Sequence, residues 1–127
     1  MVGANLDPSH LFWQRMDPLA AAAALGSAVH HVHLKDTGFV EDQVAIAGVL
    51  DHRSFERPAG RAWNFRTLGR GHDAAFWEAF LMAVRATGYD GVVSIEHEDR
   101  SMDPVEGVEE AARFILPIID QVGAAPG

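Results

Sequence analysis

The stretch from Ala28 to Asp36, with the sequence Ala-Val-His-His-Val-His-Leu-Lys-Asp, decides the fold that we expect for this chain. It is a short apolar and β-branched segment that contains three histidines and ends in a charged pair. Alternate side chains of a strand share a face, so His31 and His33 lie on one side and Val32 and Leu34 on the other. The stretch therefore predicts a β-strand with two imidazoles on one face.

Two histidines on one face of a strand can be explained in two ways. In the first, each ring is a core histidine that is hydrogen-bonded to its neighbours, which is the usual explanation for a lone histidine. In the second, His31 and His33 belong to a polar site that binds a metal or an anionic substrate, because a desolvated imidazole needs a partner. Their position just before Lys35 and Asp36 favours the second explanation.

The residues before this strand predict a strand–helix–strand unit. Val2 to Leu6 is a short apolar strand that stops at Asp7-Pro8. We expect Ser9 to Trp13 to be an aromatic loop, which either forms a pocket wall or packs against a neighbouring loop. Asp17-Pro18 combines an N-cap with proline at the first helical position and starts a helix that ends near Gly26. A strand, a helix and a strand in this order imply parallel pairing.

The second half of the chain predicts another strand between two helices. Ala74 to Thr87 has the apolar period of a helix, and Val92 to Glu96 has the composition of a buried strand. Asp103-Pro104 starts a last helix that runs to about Val122, in which Pro117 predicts a kink or a locally broken turn. The residues of this helix predicted to face inward are Val105, Val108, Ala112, Ile115 and Ile119.

The segment from Thr37 to His72 is rich in glycine and has little helical periodicity. Within it, only the alternating stretch Trp63 to Arg66 predicts a brief strand. We expect a single domain over residues 1–122, in which residues 37–72 form a long irregular insertion after the histidine-rich strand. Residues 123–127 are expected to be a flexible tail.

The composition excludes several classes of protein. With 127 residues, of which 48% are hydrophobic, the chain can form one modest domain with a packed core. A net charge of -8 argues against nucleic acid as a partner. The chain has no cysteine, so His, Asp and Glu must hold any metal. Since we find neither a membrane-spanning apolar run nor a signal-peptide pattern, we expect a cytoplasmic protein with no membrane contact.

Three of the predicted strands end in side chains that can bind a metal. Asp7, His33 and Glu96 occupy these ends, and the C-terminal ends of parallel strands share the rim on which active sites lie. Each also has an ordinary explanation, such as a capping role for Asp7 or a solvated strand end for Glu96. Together they form an oxygen and nitrogen set suited to Mn²⁺, Mg²⁺, Co²⁺ or Zn²⁺. The residues by themselves leave both explanations open.

Four motifs, spread in order over nearly the whole chain, carry a resemblance to a known family. They are Asn5-Leu6-Asp7-Pro8-Ser9-His10, His31-Val32-His33-Leu34-Lys35-Asp36, Trp63-Asn64-Phe65-Arg66 with Gly69-Arg70-Gly71, and Gly88-Tyr89-Asp90-Gly91 through Ser94-Ile95-Glu96-His97-Glu98-Asp99. With these motifs the chain resembles the C-terminal half of the sugar phosphate isomerase/epimerase family, the xylose isomerase-like TIM barrels. The resemblance implies an α/β fold, namely half of a TIM barrel with parallel strands and outer helices that lacks the N-terminal strands.

The resemblance also implies a function and a set of site residues. Members of this family are divalent-metal-dependent isomerases or epimerases of sugars, sugar phosphates or polyols, which move a proton next to a carbonyl. Asp7, His33 and Glu96 match the family's metal ligands, for which Mn²⁺ is the first expectation, and Glu96 also matches a catalytic proton carrier. The residues expected to bind the sugar substrate are His10, Arg66, Lys35 and Trp13.

The same resemblance implies that part of the barrel is missing from this sequence. The strand that carries the family's first metal-binding Glu is absent, and a complete barrel needs roughly 250 residues. We therefore expect either a fragment or a homo-oligomer in which two copies complete one another. Two alternatives to an isomerase stay open. One is a non-catalytic half-barrel that self-associates, with or without metal, and the other is a protein like the abasic-site endonucleases, which the net charge of -8 disfavours.

Overall fold

Strands and helices alternate along much of the chain. The computed structural model of the protein describes residues 2–125. In chain order the elements are β1 (Ala4–Leu6), α1 (Pro8–Phe12), α2 (Pro18–Leu25), β2 (Val29–Leu34), β3 (Asp36–Phe39), α3 (Glu41–Ala47), β4 (Trp63–Arg66), α4 (Ala74–Ala86), β5 (Val93–Ile95) and α5 (Pro104–Ala124).

The histidine-rich strand β2 is the middle strand of a three-stranded parallel sheet. The strand order is β1-β2-β5, with Leu6 paired to Val32 and Leu34 paired to Ile95. Because the three strands run in the same direction, their C-terminal ends lie along one edge of the sheet. The predicted parallel α/β architecture of a partial barrel is confirmed.

The apolar core lies between one face of this sheet and the helices α2, α4 and α5. Val32 and Leu34 of β2 are fully buried on that face, together with Trp77 and Phe80 of α4 and Ile115 of α5. The predicted apolar face of α4 is therefore confirmed. His31 and His33 lie on the opposite face of β2 and are only half-buried, which leaves their rings available to the site described below.

The segment from Ser9 to Trp13 was expected to be a loop, and this prediction was wrong. Residues Pro8–Phe12 form the helix α1, which Asp7 caps by accepting a hydrogen bond from Ser9 N at 2.9 Å. Pro8 fills the first helical position, as Pro18 does in α2. Asp7-Pro8 thus both ends β1 and starts α1. The sequence analysis predicted the end of the strand but not the start of the helix.

The segment from residue 37 to 72 contains more regular structure than its glycines indicate. β3 and β4 pair antiparallel as a separate two-stranded sheet, in which Asp36 lies opposite Arg66 and Phe39 opposite Trp63. The helix α3 follows β3 directly. The brief strand predicted at Trp63 to Arg66 is therefore present as β4, and its partner is β3, which closely follows β2 in the chain.

The strand β5 and the helix α5 differ from the predictions in their burial. β5 is half-buried because it lies at the edge of the parallel sheet. Val105 and Val108 are exposed, so their predicted inward orientation was wrong. The ring of His97 occupies the space in which a side chain at Gly107 would lie, and this packing sets the rotation of α5. The predicted inward orientation of Ile115 is confirmed, and Ile119 packs partly buried against the core. The buried residues of α5 are Gly107, Ala111, Ile115, Ile118 and Val122.

The C-terminal helix also extends further than expected. α5 continues through Pro117 without interruption and ends at Ala124, so Gly123 and Ala124 are helical. Residues 126 and 127 of the expected flexible tail lie outside the described residues. Among residues 2–125, no helix combines the length and the apolar character needed to cross a membrane.

The carboxylate of Asp36 fixes the loop that follows β4. Asp36 is fully buried, and its Oδ2 accepts hydrogen bonds from Gly69 N at 3.1 Å and from Gly71 N and His72 N at 2.9 Å. Its Oδ1 accepts from Thr37 N at 2.8 Å and lies 2.6 Å from His72 Nδ1. One side chain next to the end of β2 therefore ties the loop before α4 to the parallel sheet.

Replacing Asp36 by Asn should destabilise the protein strongly. The substitution keeps the shape but removes the charge and turns an amide N–H₂ group toward backbone donors, so we expect the free energy of unfolding to fall by about 3 kcal/mol. Urea unfolding followed by circular dichroism measures this loss. The exposed Asp42→Asn is the control, and equal stability of the two variants would contradict the anchoring role of Asp36.

Replacing Pro117 by Ala should stabilise α5. Proline inside a helix lacks the N–H donor and crowds the preceding turn, so we expect the free energy of unfolding to rise by about 1–3 kcal/mol. The thermal midpoint of Pro117→Ala measures the gain. A control substitution at an exposed position of the same helix, Glu109→Ala, should change stability by no more than about 0.5 kcal/mol. A lower midpoint for Pro117→Ala would show that the backbone there is not regular helix.

Candidate metal and substrate site

The three residues predicted as metal ligands come together at the C-terminal edge of the parallel sheet. Asp7 follows β1, His33 lies near the end of β2, and Glu96 follows β5. Each offers one ligand atom, and these atoms all lie within 4.8 Å of one another. Ligand atoms that share an ion at about 2.1–2.2 Å are at most about 4.4 Å apart, so the limit of 4.8 Å on their separation here is about 0.4 Å above the spacing that one ion requires. In chemistry, two carboxylates and an imidazole form a donor set that suits a divalent cation.

The two oxygens of Asp7 have separate roles. Oδ1 caps α1 by accepting hydrogen bonds from the backbone and the hydroxyl of Ser9. Oδ2 faces the site, 3.3 Å from Lys35 Nζ and 3.5 Å from His10 Nε2. The capping role and the ligand role, which the sequence left as alternatives for Asp7, are therefore compatible in one side chain.

His33 is held between the outer strands of the sheet. Its Nδ1 lies 2.9 Å from Glu96 Oε2, and Asn5 Nδ2 lies 3.4 Å from the ring nitrogens. The neighbouring His31 meets His33 edge to face, and its Nε2 lies 3.1 Å from Ser94 Oγ. Of the two explanations, a histidine hydrogen-bonded to its neighbours therefore describes His31, which is half-buried and has a hydroxyl partner. His33 is the imidazole that faces the carboxylates.

Lys35 is the central cation of this cluster. Its side chain is 2% exposed, and its Nζ lies 3.3 Å from Asp7 Oδ2, 2.9 Å from Glu96 Oε2 and 2.6 Å from Glu98 Oε2. The ammonium also lies 4.5 Å from the centre of the Phe65 ring. The structure thus places Lys35, which we expected to bind substrate, in direct contact with two predicted metal ligands.

The charges of Lys35 and Glu96 stabilise each other. Burial alone would lower the pKa of Lys35, but the hydrogen bonds to Glu98 and Glu96 and the charge of Asp7 outweigh it and raise this pKa. Burial would likewise raise the pKa of Glu96, but Lys35 and His33 lower it. At neutral pH the site therefore holds an ammonium and an ionised Glu96, the form in which a carboxylate can accept a proton.

Aromatic side chains form one wall beside the cluster. His10 is half-exposed and meets the Phe65 ring edge to face at 5.5 Å. Trp13 stacks in parallel on Trp63 at 5.1 Å, and Trp63 in turn meets Phe65 at 5.4 Å. His10 is thus adjacent to Asp7, whereas Trp13 is linked to the cluster only through the other rings of this wall.

Arg66 interacts with the loop that follows Glu96. Its Nη1 donates to Ser101 Oγ at 3.0 Å, and its Nε lies 3.6 Å from Asp99 Oδ2. Asp99 is buried and also accepts hydrogen bonds from Thr67 N and Ser101 N, both at 2.9 Å. In the described structure, Arg66 is therefore paired with Asp99 rather than directed at Asp7, His33 or Glu96.

Sequence reasoning missed three residues of this site. Glu98 forms the shortest contact to Lys35, and its spacing of two residues from Glu96 was a usable signal. Phe65 lies under Lys35, and the alternation of Trp63 to Arg66 places it on the same side as Trp63. Asn5, two residues before Asp7, contacts His33 across the sheet. In each case the signal is the two-residue period of an extended segment.

A family model and a solved structure agree on the fold, and one relative shares much of the sequence. A family model described as xylose isomerase-like TIM barrel matches residues 1–118. YfiH of Bacillus subtilis (strain 168), an uncharacterized protein, is 44% identical over 121 residues, which are 95% of this chain and 39% of the relative. The crystal structure of a xylose isomerase domain protein from Planctomyces limnophilus matches with a TM-score of 0.67 and 23% identity, over 97% of this chain and 39% of that one. The chain thus spans about two-fifths of the length of these relatives.

The buried carboxylate of Asp99 should make stability depend on pH. Burial would raise the pKa of Asp99, but the bonds from Ser101 and Thr67 and the charge of Arg66 lower it. A lowered folded-state pKa adds stability above the ordinary carboxyl pKa of about 4, and this stability is lost as the pH falls through the folded value. At pH 7 we expect Asp99→Asn to be less stable by about 2 kcal/mol, and the difference to shrink below pH 4.

Thermal unfolding of the wild type and Asp99→Asn between pH 7 and pH 2.5 measures this difference. The control is the exposed Asp90→Asn, whose difference from the wild type should stay small at every pH. A stability difference for Asp99→Asn that stays constant through the acid range would contradict the lowered pKa.

Proposed function

Because the chain belongs to the xylose isomerase-like TIM barrel family, we propose that it provides the metal-binding edge of a divalent-cation-dependent sugar isomerase or epimerase. The observation that carries the proposal is the convergence of Asp7, His33 and Glu96 from three parallel strands, with ligand atoms within 4.8 Å. Mn²⁺ is the first choice of cation, and Mg²⁺, Co²⁺ and Zn²⁺ suit the same oxygen and nitrogen set.

In this proposal each side chain has a defined task. Asp7, His33 and Glu96 hold the cation, which would polarise carbonyl and hydroxyl oxygens of a bound sugar. Glu96 is ionised at neutral pH and is the group that accepts and returns the proton at the carbon next to the carbonyl.

The substrate is proposed to lie against the aromatic wall beside the cation. His10 is close to Asp7 and half-exposed, so it can donate a hydrogen bond to a sugar hydroxyl. Phe65, and more remotely Trp13, supply apolar surface for the sugar ring. Arg66 reaches substrate only if it leaves Asp99, which makes it the weakest of the four substrate-binding assignments.

The site needs further strands around it to enclose a substrate. Within residues 2–125, β1 and β5 are the outer strands of the parallel sheet, and each leaves one edge unpaired. We propose that a second copy of the chain, or the remaining part of a longer barrel, covers these edges and shields the substrate from water.

A second function is favoured by the position of Lys35. Its ammonium already neutralises the carboxylates that a cation would use, so these charges are compensated without a metal. This favours the alternative of a half-barrel that self-associates without metal or catalysis. The abasic-site endonuclease alternative receives no such support, because the net charge of -8 opposes binding to a phosphate backbone.

Calorimetric titration with Mn²⁺ tests the proposed function. We expect saturable binding to the wild type and at least tenfold weaker binding to His33→Ala, because one of three ligands is lost. His30→Ala is the matched control, since His30 is an exposed residue on the same strand and should leave binding unchanged.

The oligomeric state of the same samples is measured by light scattering.

In the calorimetric titration, a folded wild type that binds none of the four cations would refute the metal-dependent function and favour the non-catalytic half-barrel. Binding that survives in His33→Ala would refute the assignment of His33.

A further inference from the structure

The single lysine of the chain occupies the centre of the candidate metal site. Lys35 is the only lysine among the 127 residues, and it is almost completely buried. A buried ammonium requires compensating negative charge, and here three carboxylates supply it: Asp7, Glu96 and Glu98. Three carboxylates are more negative charge than one ammonium needs, so the excess of carboxylates indicates a role besides packing.

Two of the three carboxylates are the residues that would hold a divalent cation. The Lys35 ammonium lies 3.3 Å from Asp7 Oδ2 and 2.9 Å from Glu96 Oε2, so a cation bound to the same carboxylates would be strongly repelled by it. Glu98 is different, because it lies outside the group of ligand atoms within 4.8 Å and has the shortest contact to Lys35, at 2.6 Å. Glu98 can thus pair with Lys35 without being one of the residues that would bind the divalent cation.

We propose that Lys35 competes with the divalent cation for Asp7 and Glu96, and that Glu98 retains Lys35 when the cation occupies those two residues. Lys35 then acts as an internal cation that keeps the ligand carboxylates in place and sets how tightly the metal binds. Glu98 is a positioning residue that acts through Lys35. This inference rests on the proposed metal-dependent function, but it predicts effects on affinity that the function alone does not.

Mn²⁺ affinities of charge variants test the competition directly. Lys35→Met keeps the length and apolar stem of the side chain but removes the charge, and we expect it to bind Mn²⁺ at least tenfold more tightly. Arg70→Met is the control for the loss of one positive charge, because Arg70 pairs with Glu110 at the protein surface, and its affinity should stay within twofold of the wild type. Isothermal titration calorimetry gives both dissociation constants.

Glu98 is tested by a double-mutant cycle. Glu98→Gln should weaken Mn²⁺ binding in the wild type, because Lys35 then depends entirely on Asp7 and Glu96. In the Lys35→Met background the same substitution should have a clearly smaller effect. Equal effects in the two backgrounds would show that Glu98 acts by its own charge and not through Lys35.

If Lys35→Met fails to fold, an NMR titration of the wild-type protein still tests whether the divalent cation affects Lys35. Because there is one lysine, protein labelled with ¹³C at the lysine ε-carbon gives a single lysine ε signal in the NMR spectrum. Titration with diamagnetic Zn²⁺ should shift this signal in step with metal binding measured by calorimetry. A lysine signal that does not move at saturating Zn²⁺ would overturn the proposal.

The outcomes separate this inference from the proposed function. Metal binding to the wild type with equal affinity in Lys35→Met would overturn the competition and leave the function intact. Binding to Lys35→Met alone would support the competition for Asp7 and Glu96 but refute the metal-dependent function of the wild-type protein, because its own lysine would then exclude the cation. Absence of binding to both folded proteins would overturn both proposals.

Discussion

The ion pairs of one buried ammonium connect the ends of all three parallel strands. Lys35 follows β2 directly and contacts Asp7 at the end of β1 and Glu96 and Glu98 after β5. Removing a buried cation from such a group leaves repelling carboxylates without compensation, which is more costly than losing a surface salt bridge. The positions of the carboxylates of Asp7, Glu96 and Glu98 thus depend on the same lysine, so its charge is part of what holds the ends of the three strands together.

The residue after this lysine carries a second constraint of the same kind. Asp36 is buried and binds backbone N–H groups of Gly69, Gly71 and His72, so the loop before α4 is fixed to the end of β2. Lys35 and Asp36 are adjacent in sequence but point into different surroundings, as neighbours in an extended chain do. One charged pair therefore organises the candidate site on one side and the supporting loop on the other, and in both places a buried charge is compensated by the groups that it contacts.

Much of the fold could be predicted because its signals are local. Asp17-Pro18 and Asp103-Pro104 were recognised as helix starts, and both aspartates cap helices in the structure. The rotation of α5 could not be predicted, because its apolar residues allow more than one buried face and the contact between His97 and Gly107 decides among them. The strand β3 was missed for a similar reason, since it is stabilised by pairing with β4 across a long connection and has no strong pattern alone.

The sequence by itself determined the parallel α/β class, the order of the three parallel strands with α2, α4 and α5, and the residue types at the strand ends. It could do so because residue period, cap residues and prolines act over a few neighbouring positions. Only the tertiary structure decided that Lys35 is buried among three carboxylates, that Arg66 pairs with Asp99, and that Glu98 belongs to the site. The contacts of Lys35 with Glu96 and Glu98 join residues 61 and 63 positions apart, and a partner at such a distance depends on how the strands are assembled in space.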